Sequence, residues 1–249
     1  TPYSGYPNFS SPDALLDGLK YAGYDVMLTA NNHVLDRGKA GLERTIRTIK
    51  YRDLLHAGSY LNKQERDSIY PLILEKDSFR IALLNCTYGT NGIPVVAPNH
   101  VNMIDTMEIK KDIARCEELF ADFIIMTIHW GNEYELEASQ AQKEFARFLV
   151  RSGVDLIVGS HPHVVQNMEY IQTGLKNVPV FYSLGNSISN QRKTHTNGGI
   201  ILRAEIDPIS KSIKTSYMPV YVHKGILNAK YQYHLIPTID YVKQPQAFK

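Results

Sequence analysis

Residues 154–166 read VDLIVGSHPHVVQ, and this stretch decides the fold. An apolar run of this length that ends in a Gly-Ser turn is typical of a strand buried on both faces. His161 and His163 follow the carboxyl end of that strand, the edge at which open α/β sheets build their sites. Imidazole is the commonest metal ligand, and Pro162 stiffens the backbone between the two rings. Taken alone, the pair is as well explained by two surface histidines as by a metal site.

Two further apolar strands, Tyr24–Thr29 and Asp122–Ile128, also run into polar turns that carry histidine. The polar residues of these turns are Asn31, Asn32, His33 and Asp36 after the first strand, and His129, Trp130 and Glu133 after the second. Predicted helices over Lys39–Arg52 and Ala138–Ser152 lie between the strands, and Asp105 is predicted to cap another. The repeated order of helix, strand and histidine turn predicts an α/β sheet with one crevice at its strand ends.

The second half of the chain has a different pattern. Strands with hairpin turns are predicted from Val164–Ile171 to Gln232–Pro237, with Asp207-Pro208 as one of the turns. We expect these strands to complete a second sheet packed on the first. No internal repeat or long linker interrupts the chain, so residues 1–249 are predicted to form a single domain.

Composition excludes several classes of protein. The formal net charge of +2 over 249 residues argues against binding to nucleic acid or to an anionic membrane surface. No apolar run reaches the roughly 18 residues that a membrane span requires. Cys86 and Cys116 follow apolar or helical patterns and are expected to be buried. Their spacing does not decide whether they form a disulfide.

The histidine turns suggest metal chemistry. Imidazoles together with amide or carboxylate oxygens suit Zn, Mn or Fe better than Ca or Mg. Such an ion activates a bound water and neutralises charge on a phosphoryl or carbonyl oxygen. A centre with two ions would need more carboxylates than these turns supply.

The polar motifs together resemble the CapA family, which is linked to capsule and poly-γ-glutamate biosynthesis and belongs to the calcineurin-like metallophosphoesterase superfamily. The motifs that carry the resemblance are, in chain order, Asn31-Asn32-His33 with Asp36 and Gly38, His129-Trp130-Gly131 with Glu133, residues 159–163 (GSHPH), and residues 182–186 (YSLGN). The resemblance implies an α/β fold, a two-sheet αββα sandwich with a metal site at the edge of the sheets. It covers nearly the whole chain as one domain.

The resemblance also implies which residues hold metal. Asn32, His129 and His161 look like ligands of a second metal ion, and His163 looks like a ligand of the first. The ions would be Mn, Fe or Zn, as a pair in the full-length protein.

By the same resemblance, His33 would be the acid that protonates the leaving oxygen, without touching metal. Asp36 would orient its imidazole, although the usual partner in the superfamily directly follows the histidine, where this chain has Val34.

Three further residues are predicted to contact substrate, each with an alternative. For Trp130 the alternative is packing in the core or at its rim, which is equally favoured. For Glu133 the alternatives are a hydrogen bond to a metal-binding imidazole and simple exposure to solvent. Asn186 either lines the crevice or forms a turn. A basic loop that follows could bind an anion, but a solvated surface is the favoured interpretation: Arg192, Lys193 and His195.

The chain departs from the family at its front. The family's Gly-Asp motif after the first strand and its Asn-Leu-Glu motif would lie just before residues 1–12, and neither is present. We therefore expect the sandwich to lack its N-terminal strand or strands in this chain. We also expect the chain as given to bind metal weakly or not at all.

The resemblance implies a metal-dependent hydrolase or transferase acting on an anionic cell-surface polymer or its precursors. The alternative is a non-catalytic scaffold or transport component of capsule assembly with a vestigial metal site. Expected partners are the polymer and capsule-assembly membrane proteins, with no nucleic acid. The expected location is outside the cytoplasm, through an anchor that this chain does not contain.

Overall fold

The computed structural model describes residues 3–174, 176–227 and 229–243. The chain forms two compact units. Unit 1 comprises the residues up to His129 together with Ser152–Val154, and unit 2 comprises Trp130–Arg151 and the residues from Asp155 onward. The single domain expected from the sequence stays a prediction.

Unit 1 is a mixed α/β unit. Its helices are α1 (Ala14–Tyr21), α2 (Gly38–Tyr51), α3 (Lys63–Ile69) and α4 (Thr106–Glu118). Its strands are β1 (Val26–Leu28), β2 (Leu55–Ala57), β3 (Ser59–Tyr60), β4 (Leu72–Lys76), β5 (Phe79–Thr87), β6 (His100–Val101) and β7 (Phe123–His129). Strand β5 pairs with β4 antiparallel and with β7 parallel, β1 pairs with β2 parallel, and β3 pairs with β6 antiparallel.

The core of unit 1 follows from the hydrophobic pattern of its sequence. Six consecutive residues of β5, from Ala82 to Thr87, are buried, as expected of a strand covered on both faces. Helix α2 buries Leu42, Ile46 and Ile49 on one face, the helical spacing that its sequence predicts. Each such side chain contributes about 1.5–3 kcal/mol relative to an exposed one. Asp105 caps α4, as predicted, by accepting hydrogen bonds from the backbone N–H groups of the first turn.

A buried ion pair connects α3 and α4. Both Nη2 contacts of Arg66 to the carboxylate oxygens of Asp112 measure 2.7 Å, and the two side chains are 9% and 10% exposed. Arg66 Nε also donates to Asn102 Oδ1 at 2.7 Å, and the guanidinium lies 4.8 Å from the centre of the Tyr70 ring. Burial alone lowers the pKa of Arg66, but the charge and hydrogen bonds of Asp112 raise it overall. Burial also raises the pKa of Asp112, because desolvation outweighs the charge and hydrogen bonds of Arg66. The two contacts of 2.7 Å nevertheless join the side chains as an ion pair inside unit 1.

Unit 2 contains the strands of the second half. Its helices are α5 (Gln140–Arg151) and α6 (Thr238–Lys243), and its strands are β8 (Leu156–Ser160), β9 (Met168–Thr173), β10 (Lys176–Phe181), β11 (Gly198–Ile206), β12 (Ile213–Leu227) and β13 (Lys230–Pro237). Strand β10 pairs with β8 parallel and with β9 antiparallel. Strands β11, β12 and β13 form a separate antiparallel sheet.

Two sequence expectations for unit 2 need correction. The strand expected from Val164 begins at Met168, because Val165 makes only an isolated bridge to Leu184 before regular pairing starts. Strands β9 and β10 were expected in the second sheet, but β10 extends the sheet of β8 instead. The run Val178–Phe181 is wholly buried, which is typical of an interior strand and leaves its choice of neighbour undetermined by sequence.

Removing one member of the buried ion pair should strongly destabilise unit 1. We expect Asp112→Ala to lower the free energy of unfolding by about 3–5 kcal/mol, because the guanidinium of Arg66 would stay buried without its counter-charge. Urea unfolding followed by circular dichroism measures this. The matched control is Glu118→Ala, which removes an exposed pair with Arg115 and should cost less than about 1 kcal/mol. Equal effects of the two substitutions would contradict the prediction.

Acid should weaken the fold through His56, which lies in β2 and is 4% exposed. Burial, reinforced by the charge of Lys50, lowers the pKa of His56. Below pH ~6.5 His56 therefore binds a proton in the unfolded chain before it does so in the folded chain. This lowers the free energy of unfolding by at most about 1.4 kcal/mol per pH unit. We expect the stability lost between pH 7.5 and 5.5, measured by urea unfolding in EDTA, to be smaller in His56→Gln. His234→Gln, in unit 2, should keep the loss seen in the unsubstituted protein; equal losses in all three would contradict this assignment.

Candidate functional site

The turn after β1 is held by hydrogen bonds between side chains and backbone. The backbone N–H of Ala30 donates to Oδ1 of Asn85 at 2.9 Å, and Asn85 is 3% exposed. Within the turn, the backbone N–H of His33 donates to Oδ1 of Asn31 at 2.8 Å, which is a local asparagine turn. The side chains that follow β1 are therefore fixed in place from the interior of unit 1.

His33 is oriented by Asp36. Nδ1 of His33 lies 2.8 Å and 3.0 Å from the two carboxylate oxygens of Asp36, and that carboxylate also accepts from the backbone N–H of Phe9 at 2.8 Å. The Phe9 ring meets His33 edge-on, with centroids 4.7 Å apart. The carboxylate favours a proton on Nδ1, which leaves Nε2 as the reactive nitrogen. A spacing of three residues thus brings the carboxylate to the imidazole despite Val34; the acid role stays a prediction.

Asn32 and His129 contact each other in unit 1. Oδ1 of Asn32 lies 2.9 Å from Nε2 of His129, and these are the atoms with which the two side chains would bind a metal. Nδ2 of Asn32 donates to Oδ1 of Asn91 at 3.1 Å, which points Oδ1 of Asn32 toward the histidine. The Tyr88 ring lies parallel to that of His129, with centroids 6.3 Å apart. Asn91 was not among the site residues predicted from the sequence. It lies in the long loop over residues 87–100, whose lack of hydrophobic periodicity was the one sequence feature that could have indicated a functional segment.

In unit 2, a close approach at Gly159 shapes the end of β8. The indole Nε1 of Trp130 donates to the carbonyl oxygen of Tyr182 at 2.9 Å, and the two rings stack with centroids 5.8 Å apart. A Cβ atom on Gly159 would lie 2.0 Å from that carbonyl oxygen and 2.4 Å from Nε1. Only glycine therefore fits. Trp130 is 3% exposed, so its contacts are those of the packing alternative, and its predicted substrate contact stays a prediction.

The His-Pro-His turn has a strained backbone. The φ angles of His161 and His163 are 105° and 60°, in the left-handed region that costs a residue with a side chain about 1–3 kcal/mol. Two backbone hydrogen bonds hold the turn: Tyr134 N donates to Pro162 O at 2.8 Å, and Trp130 N donates to Ser160 O at 3.0 Å. Strain of this kind is concentrated at functional sites.

Glu133, His161 and His163 form a group of three candidate metal ligands. Their ligand atoms all lie within 4.8 Å of one another, and Nε2 of His163 is 4.0 Å from Oε1 of Glu133. Ligand atoms about 2.0–2.2 Å from one ion are at most about 4.4 Å apart, so small side-chain rotations would close the group. Two imidazoles and a carboxylate suit Zn, Mn or Fe. The residues present therefore fit a divalent ion.

Asn186 orients one member of this group. Its Oδ1 lies 2.9 Å from Nδ1 of His163. Metal-binding histidines commonly bond an oxygen through one ring nitrogen and the ion through the other. The contact therefore leaves Nε2 of His163 for Glu133 and an ion. Asn186 was expected to contact substrate or to form a turn, and its hydrogen bond to His163 is a further role. Glu133 was expected to contact substrate or a ligand imidazole, and its place in the group makes it a candidate metal ligand.

The predicted site residues thus fall into two clusters, one in each unit. The first contains Asn32, His33, Asp36 and His129, and the second contains Trp130, Glu133, His161, His163 and Asn186. In the first cluster, Asn91 joins the two pairs, since its Oδ1 accepts from Asn32 and its Nδ2 lies 3.4 Å from Nδ1 of His33. In the second, Glu133, His161, His163 and Asn186 are joined by the contacts given above, and Trp130 packs beneath them against Gly159. Their predicted roles in metal binding and catalysis stay predictions.

Known proteins resemble both the sequence and the fold. The family model described as bacterial capsule synthesis protein PGA_cap matches residues 1–191. The capsule biosynthesis protein CapA of Bacillus anthracis is 28% identical over 225 residues, which is 88% of this chain and 53% of that protein. The PGA biosynthesis protein CapA of Bacillus subtilis is 29% identical over 196 residues, 74% of this chain and 48% of that protein. The chain thus spans about half the length of these curated relatives.

Among solved structures, the NAD nucleotidase NadN of Haemophilus influenzae has a similar fold. The TM-score is 0.58 at 12% sequence identity, over 93% of this chain and 47% of that one. This likeness confirms the predicted fold class, α/β of the metallophosphoesterase type. None of the helices within the described residues combines the length and apolar character needed to cross a membrane.

The strain at His161 predicts an unusual order of stabilities. Glycine adopts a φ of 105° freely whereas alanine does not. We expect His161→Gly to be more stable than His161→Ala by about 1 kcal/mol, measured by urea unfolding in EDTA. The control is the same pair of substitutions at His129, at the end of β7 and outside the residues with positive φ, where alanine should be the more stable. If the alanine variant were the more stable one at both positions, the strain assigned to His161 would be contradicted.

Proposed function

The chain belongs to the PGA_cap family of bacterial capsule synthesis proteins, and from this membership we propose that it is a metal-dependent hydrolase or transferase. Its substrate is an anionic polymer of the cell surface, of the poly-γ-glutamate kind, or a precursor of that polymer. The observation that carries the proposal is the group of Glu133, His161 and His163, whose ligand atoms lie within 4.8 Å of one another.

The proposal assigns the binding of Mn, Fe or Zn to these three side chains. When bound, such an ion supplies an activated water and neutralises charge on a phosphoryl or carbonyl oxygen. Asn186 keeps Nδ1 of His163 occupied, so that Nε2 stays available as a ligand atom. Oδ1 of Asn32 and Nε2 of His129 are the further donor pair proposed for a second ion. The resemblance gave His161 to that ion as well, but its closeness to Glu133 and His163 supports assigning it to the first group instead.

Proton transfer is assigned to His33. The carboxylate of Asp36 holds the imidazole through Nδ1, so the proton for a leaving oxygen is delivered from Nε2. The carboxylate also carries a negative charge that stabilises the ring while it holds both protons. This role requires no contact between His33 and a metal.

The site of action is proposed from the relatives. Those proteins are described by capsule or PGA biosynthesis, which supports work outside the cytoplasm together with the membrane proteins that assemble a capsule. The chain spans about half of their length, so this location and these partners are proposed for the whole protein. Nucleic acid is not proposed as a partner, since the net charge of +2 gives no basis for it.

A second candidate function is a scaffold or transport component of capsule assembly with a vestigial metal site. One observation favours it. Within the described residues, the group found with three suitable donors includes one carboxylate, Glu133. A pair of ions bound through so few anionic ligands would keep much of its charge uncompensated.

Metal analysis distinguishes the two functions. The full-length protein is purified without chelators or a metal-binding tag and analysed for metal content. We expect at least one equivalent of Mn, Fe or Zn, lost in His163→Ala and in Glu133→Ala, and kept in the control His234→Ala. Hydrolysis of bis(p-nitrophenyl) phosphate is then measured on the metal-loaded protein.

His33→Asn should keep the metal and lower kcat about 10²- to 10⁴-fold, because it removes the proton donor and leaves the ligands in place. The absence of bound metal even after reconstitution would contradict the proposed hydrolase or transferase and favour the scaffold function. Metal bound equally by His163→Ala and the unsubstituted protein would reject the assigned ligands.

A further inference from the structure

The loop between β10 and β11 carries a lysine whose ammonium group lies over the ring of Tyr134, which also stacks on the candidate metal ligand His163. We propose that Lys193 is a specificity-determining residue that binds an anionic oxygen of the substrate, carboxylate or phosphate, beside His163. The inference rests on the proposed function in taking the substrate to be anionic. It adds the residue that would recognise that charge.

An aromatic ring connects the ammonium group to the histidine. Nζ of Lys193 lies 3.7 Å from the centre of the Tyr134 ring, a distance at which the face of the ring attracts a cation. The same ring stacks on the imidazole of His163, with centroids 6.1 Å apart and planes 25° apart. Tyr134 is itself attached to the His-Pro-His turn, since its backbone N–H donates to Pro162. The position of the cation is therefore tied to that of the candidate ligand.

The backbone of Lys193 is tied to the same histidine by a second route. Asn186 contacts Nδ1 of His163 through Oδ1 and donates from Nδ2 to the carbonyl oxygen of Thr196 at 2.8 Å. Thr196, which is 0% exposed, donates to the carbonyl oxygen of Lys193 from its backbone N–H at 3.0 Å and from its hydroxyl at 2.8 Å. The contacts thus form a closed ring from His163 through Asn186, Thr196, Lys193 and Tyr134 back to His163. A merely solvated loop would not need such a ring.

The charge of Lys193 is available to an incoming anion. The side chain is exposed, and none of the ion pairs found within the described ranges includes it. By contrast, Lys176 in the same unit pairs with Asp155 at 2.7 Å. The neighbouring Arg192 is engaged elsewhere, because its Nη1 donates to the carbonyl oxygen of Val222 at 3.4 Å. An aromatic face attracts a cation without neutralising it, so Lys193 can still pair with a carboxylate or phosphate.

The test measures binding of a γ-linked triglutamate to the full-length protein by calorimetry, once in EDTA and once with Mn. We expect Lys193→Gln to raise the Kd about tenfold and Lys193→Arg to raise it less than about threefold, since arginine keeps the charge. The charge-matched control is Lys230→Gln, an exposed lysine of β13, which should leave the Kd unchanged. The triamide of the same peptide should not distinguish the unsubstituted protein from Lys193→Gln. Competition with inorganic phosphate shows which source of negative charge is bound.

Each outcome decides something about Lys193. Displacement of the peptide by phosphate in the unsubstituted protein but not in Lys193→Gln supports a phosphate-binding group, and failure of phosphate to compete supports a carboxylate-binding one. Equal peptide affinities in the unsubstituted protein and Lys193→Gln, or no binding by either, overturn the inference. The EDTA measurement does not depend on metal or hydrolysis, so its result is separate from the failure or success of the hydrolase.

Discussion

The end of β8 depends on a close contact that only glycine permits. The hydrogen bond from the Trp130 indole to the carbonyl oxygen of Tyr182 passes directly against Gly159. This contact connects the start of the segment that carries Glu133, the end of β10, and the strand that precedes the two histidines. A side chain at Gly159 would separate these segments, and the distances within the group of Glu133, His161 and His163 would change with them. The geometry of the candidate ligands is thus set by packing beneath them.

The two clusters use one physical device with different partners. In each, an imidazole has its Nδ1 held by a side-chain oxygen, which is Asp36 for His33 and Asn186 for His163. A carboxylate contributes negative charge, which helps a ring that must carry a proton to a leaving group. A neutral amide fixes the ring and its tautomer without adding charge, which suits a ring that binds a cation. The choice of partner therefore agrees with the different roles proposed for the two histidines.

Much of the local structure could be predicted from the sequence because it depends on local rules. The periodicity of α2, the cap at Asp105 and the histidine turns after β1, β7 and β8 all follow from patterns within a few residues. Helix α3 was not predicted, because its seven residues are too few to show a helical period. Asn62 caps its first turn locally, and Arg66 joins it to Asp112, a residue 46 positions away. The hydrogen bonds of Asn32 and His163 were not predicted, because their partners lie far away in the sequence. Asn91 is an ordinary loop residue until the fold brings it to Asn32, and Asn186 was predicted at the site but without its hydrogen bond to His163.

Trp130 is the only tryptophan of the chain, and it packs within the contact that supports the candidate ligands. Its indole is 3% exposed and is bonded to a carbonyl oxygen. The intrinsic tryptophan emission of the protein therefore comes from one fluorophore, shielded from water, at this place. Loosening of β8 would move that emission to longer wavelength even where the rest of the chain kept its structure. Tryptophan fluorescence therefore reports directly on the packing that supports the His-Pro-His turn.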